Sequence, residues 1–132
     1  MLREVMAGHV RSLQAEHLTD VASSDQHTVK PWFAGKLDFS PNVRDFAEQG
    51  FPLIGGRLDY LQGREVAALV YRRNKHVINV FVWPSATLER TAQTESLKGY
   101  SIVNFDASGL RYCLVSDLNA KELNELAGLM GK

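Results

Sequence analysis

The sequence predicts an α+β fold: an antiparallel sheet of about five or six strands, flanked by an N-terminal helix, a short internal helix and a C-terminal helix. Three observations carry that expectation. Apolar residues recur at helical spacing near the start of the chain and again near its end. Three β-rich runs between Leu53 and Trp83 are separated only by the polar pairs Gln62-Gly63 and Asn74-Lys75, the mark of antiparallel hairpins. A further pair of β-rich runs brackets Asp106-Ala107-Ser108-Gly109.

Taken in order, Leu2, Val5, Met6, Val10 and Leu13 line one side of a helix expected over residues 2–18, with Arg3, Glu4, Arg11 and Gln14 turned largely away. The polar run Thr19 to Gln26 ends it. Thr28 to Phe39 follows neither a helical nor a strand period; it reads as an irregular, extended crossing that Pro31 confines to a sheet edge or a bulge. Ser40-Pro41 is a helix-start signal, a serine cap followed by proline at the first helical position, and Gly50 suits the residue just past the end. Val43, Phe46 and Ala47 give this short helix its apolar side.

Strands are then expected at Leu53–Leu61, Arg64–Arg73 and His76–Trp83. Val66, Ala68 and Val70 alternate with Ala67, Leu69 and Tyr71, and Ile78, Val80 and Val82 alternate with Val77, Phe81 and Trp83. Apolar side chains on both faces mark two central strands covered twice. Gly55-Gly56 reads as a bend or bulge in the first strand. Ser85 to Lys98 reads as a polar connection, and Gly99–Phe105 with Leu110–Ser116 as a hairpin. Asn119 caps the last helix, Glu122 completes a capping box, Leu118 staples onto Leu123, and Leu123, Leu126, Ala127 and Met130 form its buried stripe. At 132 residues this is a single domain, 1–18 a helix and 19–132 the sheet and C-terminal helix.

Fifteen basic residues balance 15 acidic ones, so no global field draws in a polyanion, and a dedicated nucleic-acid-binding domain is not expected. The single cysteine, Cys113, lies in an apolar run and reads as a buried thiol; it excludes an intramolecular disulfide and a cysteine-rich zinc site. No apolar run reaches the roughly 18 residues that span a bilayer, and acid and arginine interrupt MLREVMAGHV as a signal peptide. As given, the chain is expected to be soluble.

Catalytic, metal and cofactor signatures are weak. His9 and His17 share a side of the first helix, but eight residues place them about 12 Å apart, too far for one ion. No Gly-x-Ser-x-Gly elbow is present, and Ser24, Asp25 and His27 are neighbours in a polar loop rather than a triad. Ala34-Gly35-Lys36 lacks the remaining residues of a phosphate loop. The best candidate for a ligand or partner is the set Asp25, His27, Trp32 and Lys36, which gathers an acid, an imidazole, an aromatic and a cation. Arg72, Arg73 and Lys75, with His76 beside them, form the one dense basic cluster; it reads as a solvated hairpin tip or as a surface for an acidic partner or lipid headgroups, through an attraction that salt would weaken.

Two segments, "HVRSLQAEHLTDVASSDQHTVKPWFAGKLDFSP" and "QGFPLIGGRLDYLQGREVAALVYRRNKHVINVFVWP", resemble the C-terminal region of bacterial transmembrane anti-sigma factors. The similarity runs from His9 to the last helix and is weakest across Ser85 to Lys98. It implies a split protein: a cytoplasmic domain that sequesters an extracytoplasmic-function sigma factor, one membrane-spanning helix, and a periplasmic domain similar to this chain that receives an envelope or stress signal. The histidine and cysteine zinc motif of many such cytoplasmic domains is not in this sequence, and neither is the span. The chain is thus expected to be the non-enzymatic sensor portion, meeting sigma factor and membrane only through segments outside it. The His9 and His17 side of the first helix is its expected contact with an envelope protein or a second copy. A small-ligand or metal-binding domain is the alternative reading, and a small hydrolase a more distant one.

Overall fold

The computed structural model describes residues 1–14, 18–85 and 91–132. Its elements are α1 (Leu2–Gln14), β1 (Val21–Ala22), α2 (Gln26–Ala34), a 3₁₀ turn (Ala47–Gln49), β2 (Leu53–Leu61), β3 (Arg64–Arg73), β4 (His76–Pro84), β5 (Gln93–Leu97), β6 (Tyr100–Ala107), β7 (Leu110–Ser116) and α3 (Ala120–Met130). The seven strands form one antiparallel sheet in the order β1-β2-β3-β4-β7-β6-β5, so two meanders meet where β4 pairs with β7. The α+β class holds, with a slightly larger sheet than expected.

The hairpins follow from their turns. Gln62 and Asn74 take left-handed backbone angles of 54° and 53°, which the two-residue connections between β2, β3 and β4 require. The central strands are buried on both faces. One face carries Ala67, Leu69, Tyr71, Ile78, Val80, Val82, Val103 and Leu114 against α2 and α3. The other carries Val66, Ala68, Phe81, Trp83, Ile102, Cys113 and Val115 against Val5 of α1. Each side chain lies on the face that strict alternation assigns it.

The expected bulge is present: the register of β2 against β3 shifts between Leu53 and Gly55. It serves the sheet edge, because β1 lies so close to Gly55 that a Cβ there would collide with the Val21 carbonyl.

Four expectations need correction. The described part of the first helix is Leu2–Gln14, and residues 15–17, His17 among them, lie outside the described ones. Its buried side is Val5, Gly8, His9 and Ser12, so Val5 alone of the expected apolar stripe is buried and Leu13 is 42% exposed. Among its apolar side chains the sheet face beneath α1 carries Arg57 and Asn79, and His9 and Ser12 supply hydrogen-bond partners for Asn79. Gly8 permits the close approach, since a Cβ there would sit 3.3 Å from the Phe81 ring.

The crossing from Thr28 is helical, not extended. Asp25 caps α2, its Oδ1 accepting from the His27 N–H at 2.8 Å. Pro31 lies inside this helix. An interior proline costs about 3 kcal/mol, whereas fully burying Val29 and Phe33, both 0% exposed, returns about 3–6 kcal/mol together. Packing therefore overrides the breaker.

Conversely, the helix expected after Ser40-Pro41 shrinks to the 3₁₀ turn, closed by Gly50 at φ 91°. Local side-chain bonds outcompete helix there. Asp45 Oδ1 accepts from the Ala47 and Leu53 N–H groups at 3.1 and 2.9 Å, and the Arg44 carbonyl accepts from Tyr71 Oη at 2.6 Å.

Finally, part of the polar connection is an edge strand: β5 pairs with β6, while residues 86–90 lie outside the described ones.

The last helix has its expected cap. Asn119 Oδ1 accepts from the Glu122 N–H at 2.9 Å, and Leu118 and Leu123 are both in the core. At the far end Arg44 donates to the carbonyls of Leu129, Met130 and Lys132, tying α3 to the segment before the 3₁₀ turn. Asn119→Ala should lower unfolding free energy by about 1 kcal/mol, read as a shifted urea midpoint with an unchanged slope.

Candidate functional site

The residues proposed for a ligand site do not converge. Asp25 and His27 stand at the start of α2, whereas Trp32 stands near its end and Lys36 just beyond. At 1.5 Å per residue the two ends are about 15 Å apart. Asp25 is engaged as the helix cap, and His27 is exposed. Trp32 packs edge-on against Phe33, and the Lys36 ammonium lies 4.9 Å from the Trp32 ring centroid. That is a cation–π contact holding the helix end rather than an open ligand platform.

Lys36 also borders a cleft of about 580 Å³ with Asp38, Phe39, Arg64, Glu65 and Pro84. Two cations and two acids face it, so the lining favours neither anions nor cations. Among the described residues no group of three or more histidine, cysteine or acidic side chains could hold a metal, and no helix is long and apolar enough to cross a membrane.

The basic cluster is partly occupied. Arg73 donates to Glu122 at 3.0 Å and to the Gln49 carbonyl at 3.2 Å, and its guanidinium lies 4.6 Å from the Phe51 ring centroid. His76 Nδ1 is 2.8 Å from Asp117 Oδ1. Arg72 and Lys75 remain exposed on the hairpin.

His9 is different: it is 1% exposed and sits at the end of a buried polar chain under α1. The chain starts at Arg57, 2% exposed, whose guanidinium donates to Asp59 Oδ2 at 3.0 Å, to the Leu18 carbonyl at 3.0 Å and to Asn79 Oδ1 at 2.5 Å. Asn79 Nδ2 faces His9 Nδ1 at 2.7 Å and Ser12 Oγ at 3.2 Å. Arginine is always a donor, so Asn79 must turn its oxygen to Arg57 and its amide N–H₂ to His9. The His9 Nδ1 is therefore an unprotonated acceptor.

Burial, chiefly, pulls the His9 imidazole down to about 4; Asp117 opposes this and Arg57 adds to it. In the layer beneath, burial pushes the Cys113 thiol up to about 12, so it is inert while covered.

Arg57, Asn79 and Ser12 escaped the sequence reading. A signal was present for one of them: Asn79 interrupts the apolar run Val77 to Trp83 on a strand expected to be buried on both faces. A polar residue there needs partners, and a search for them leads to Arg57 and His9.

No family model, curated protein or solved structure matches this chain.

Proposed function

We propose that the chain is the signal-receiving periplasmic domain of a membrane-anchored anti-sigma regulator, a non-enzymatic module that governs release of an extracytoplasmic-function sigma factor. The resemblance of residues 9–41 and 49–84 to such regulators supports the reading. The observation that carries it is the way α1 docks. This helix lays His9 and Ser12, beside Val5, on the sheet through matched hydrogen bonds and leaves Met6 and Val10 partly exposed and Leu13 42% exposed. A signalling domain needs an element with two arrangements of similar free energy, and a helix latched by polar groups over an apolar sheet face suits that need.

The test is genetic. In a bacterium carrying the gene, deleting only the codons for these residues should change envelope-stress transcription of one sigma-dependent gene set. A transcript profile identical to the parent's, under stress and without it, would sink the reading. A direct sigma-factor pull-down by this chain would contradict it too.

The cleft beside Lys36 favours a second reading, small-ligand binding. A ligand held at 100 times its dissociation constant should add about 2.7 kcal/mol to stability. Thermal shift against small zwitterions and anions checks this, with Lys36→Ala abolishing a true shift.

A further inference from the structure

We propose that His9 is an acid-sensitive latch: protonation of its Nδ1 releases α1 from the sheet and uncovers the apolar face that holds Cys113. This inference stands on the geometry under α1 and does not depend on the regulatory reading.

The polarity of the buried chain is fixed. Arg57 donates to Asn79 Oδ1, and its own place is secured by Asp59 and the Leu18 carbonyl. The amide of Asn79 cannot rotate without turning N–H₂ against a guanidinium. A proton on His9 Nδ1 would therefore meet the Asn79 N–H₂ at 2.7 Å, donor against donor. It would also place a second cation beside buried Arg57, in a site that gives it little solvation.

Among the described residues, the other charged and titratable groups around His9 do not rescue it; Glu95 of β5, a strand that also packs against α1, is exposed. From β2 come Arg57 and Asp59, and Asp59 is held by Arg57 at 3.0 Å and approached by Arg11 of α1 at 3.9 Å. Asp20 acts on Arg57. Asp117, beyond β7, favours the proton but is bonded to His76 and its side chain is 60% exposed, so solvent weakens its pull. From β6, Tyr100 presents its ring at 5.4 Å, edge to face.

The release has a defined consequence. Val5 is the fully buried α1 residue in the cluster with Phe81, Ile102, Cys113 and Val115. Lifting α1 removes that cover while α2 and α3 still hold the opposite face.

The sign follows from linkage. His9 docked is held near 4, whereas the freed side chain returns to its ordinary 6.5. The open form therefore binds more protons between these values, and docking weakens as pH falls below 6.5. From pH 7.5 to pH 5, where ordinary carboxylates stay ionised, the opening constant should rise roughly 30-fold.

Cys113, the single cysteine and 0% exposed, reports it directly. The intact chain is reacted with 4,4′-dithiodipyridine at each pH, and the rate is normalised to a free cysteine peptide. The expected result is a roughly 30-fold rise on acidification, with no parallel rise for a cysteine on the opposite face (Ala67→Cys in a Cys113→Ser background). Equal rises at both positions would mean global unfolding and overturn the proposal.

Two variants separate the latch from mere packing. His9→Asn keeps an acceptor without the titration and should flatten the profile whatever its baseline rate. Asn79→Asp offers carboxylate oxygens to both Arg57 and protonated His9, so acid should no longer speed labelling. An unaltered acid response in either variant would falsify the latch.

Discussion

Asn79→Ala is expected to lower the unfolding free energy by about 3–5 kcal/mol, a loss typical of breaking a buried charged network from one side. The truncation removes the acceptor nearest Arg57, at 2.5 Å, and the donor that His9 Nδ1 and Ser12 Oγ share. Arg57 keeps Asp59 and the Leu18 carbonyl but stays 2% exposed, so water cannot easily replace what is lost. A cavity the size of the amide adds to the penalty. Urea unfolding should show a lower midpoint with an unchanged slope. The network interpretation makes a sharper demand. Combining Asn79→Leu with Arg57→Met removes donor and acceptor together, so the pair should cost less than the sum of its members, by about 0.5–3 kcal/mol. Strict additivity would mean that the hydrogen bonds contribute little and that burial alone sets the loss.

Why the sheet was legible and this network was not comes down to what hydrophobic patterning registers. The strands β2, β3, β4 and β7 announce themselves because apolar residues alternate or run continuously up to polar turns. Strand β5, Gln93–Leu97, offers no such signal: it lies at the sheet edge and four of its five residues are exposed.

On α1 the pattern misleads. Apolar spacing picks out Leu2, Val5, Met6, Val10 and Leu13, yet His9 and Ser12 are buried and Leu13 is exposed. A polar side chain is buried at small net cost when its partner is already in place, and periodicity within one helix carries no information about a partner 70 residues away.

The region from Ser23 to Phe39 fails for a different reason. Asp25 is a helix cap, but without the alignment of the chain against the sheet it reads as chemistry, and Pro31 masks the helix that Val29 and Phe33 justify. In the segment that most suggested a ligand site, Asp25 caps α2 and Val29 and Phe33 enter the core. The residues with an unusual electrostatic setting lie in a helix and strands that looked ordinary.

The same segment supports the second large effect. Gly56→Val should cost about 3 kcal/mol, the upper end for overpacking a core. A Cβ on Gly56 would lie 2.7 Å from both Cε2 and Cζ of Phe33 and 3.3 Å from the Ala68 carbonyl. Phe33 is 0% exposed, so its ring has no solvent to swing into, and the Ala68 carbonyl belongs to the neighbouring strand. Something larger must move, and α2 is held less firmly than β2, which is hydrogen-bonded to strands on both sides. The displacement should therefore fall on α2. Trp32, packed edge-on against Phe33 with Lys36 over its ring, reports that movement. The chain has two tryptophans, so a Trp83→Phe background isolates the signal. Gly56→Val should change Trp32 emission before the sheet unfolds. Phe33→Ala, itself costing about 3–5 kcal/mol, should remove the clash. The double variant should then be little less stable than Phe33→Ala alone. Full additivity of the two losses would show that the collision is with the Ala68 backbone and that α2 does not depend on the glycine.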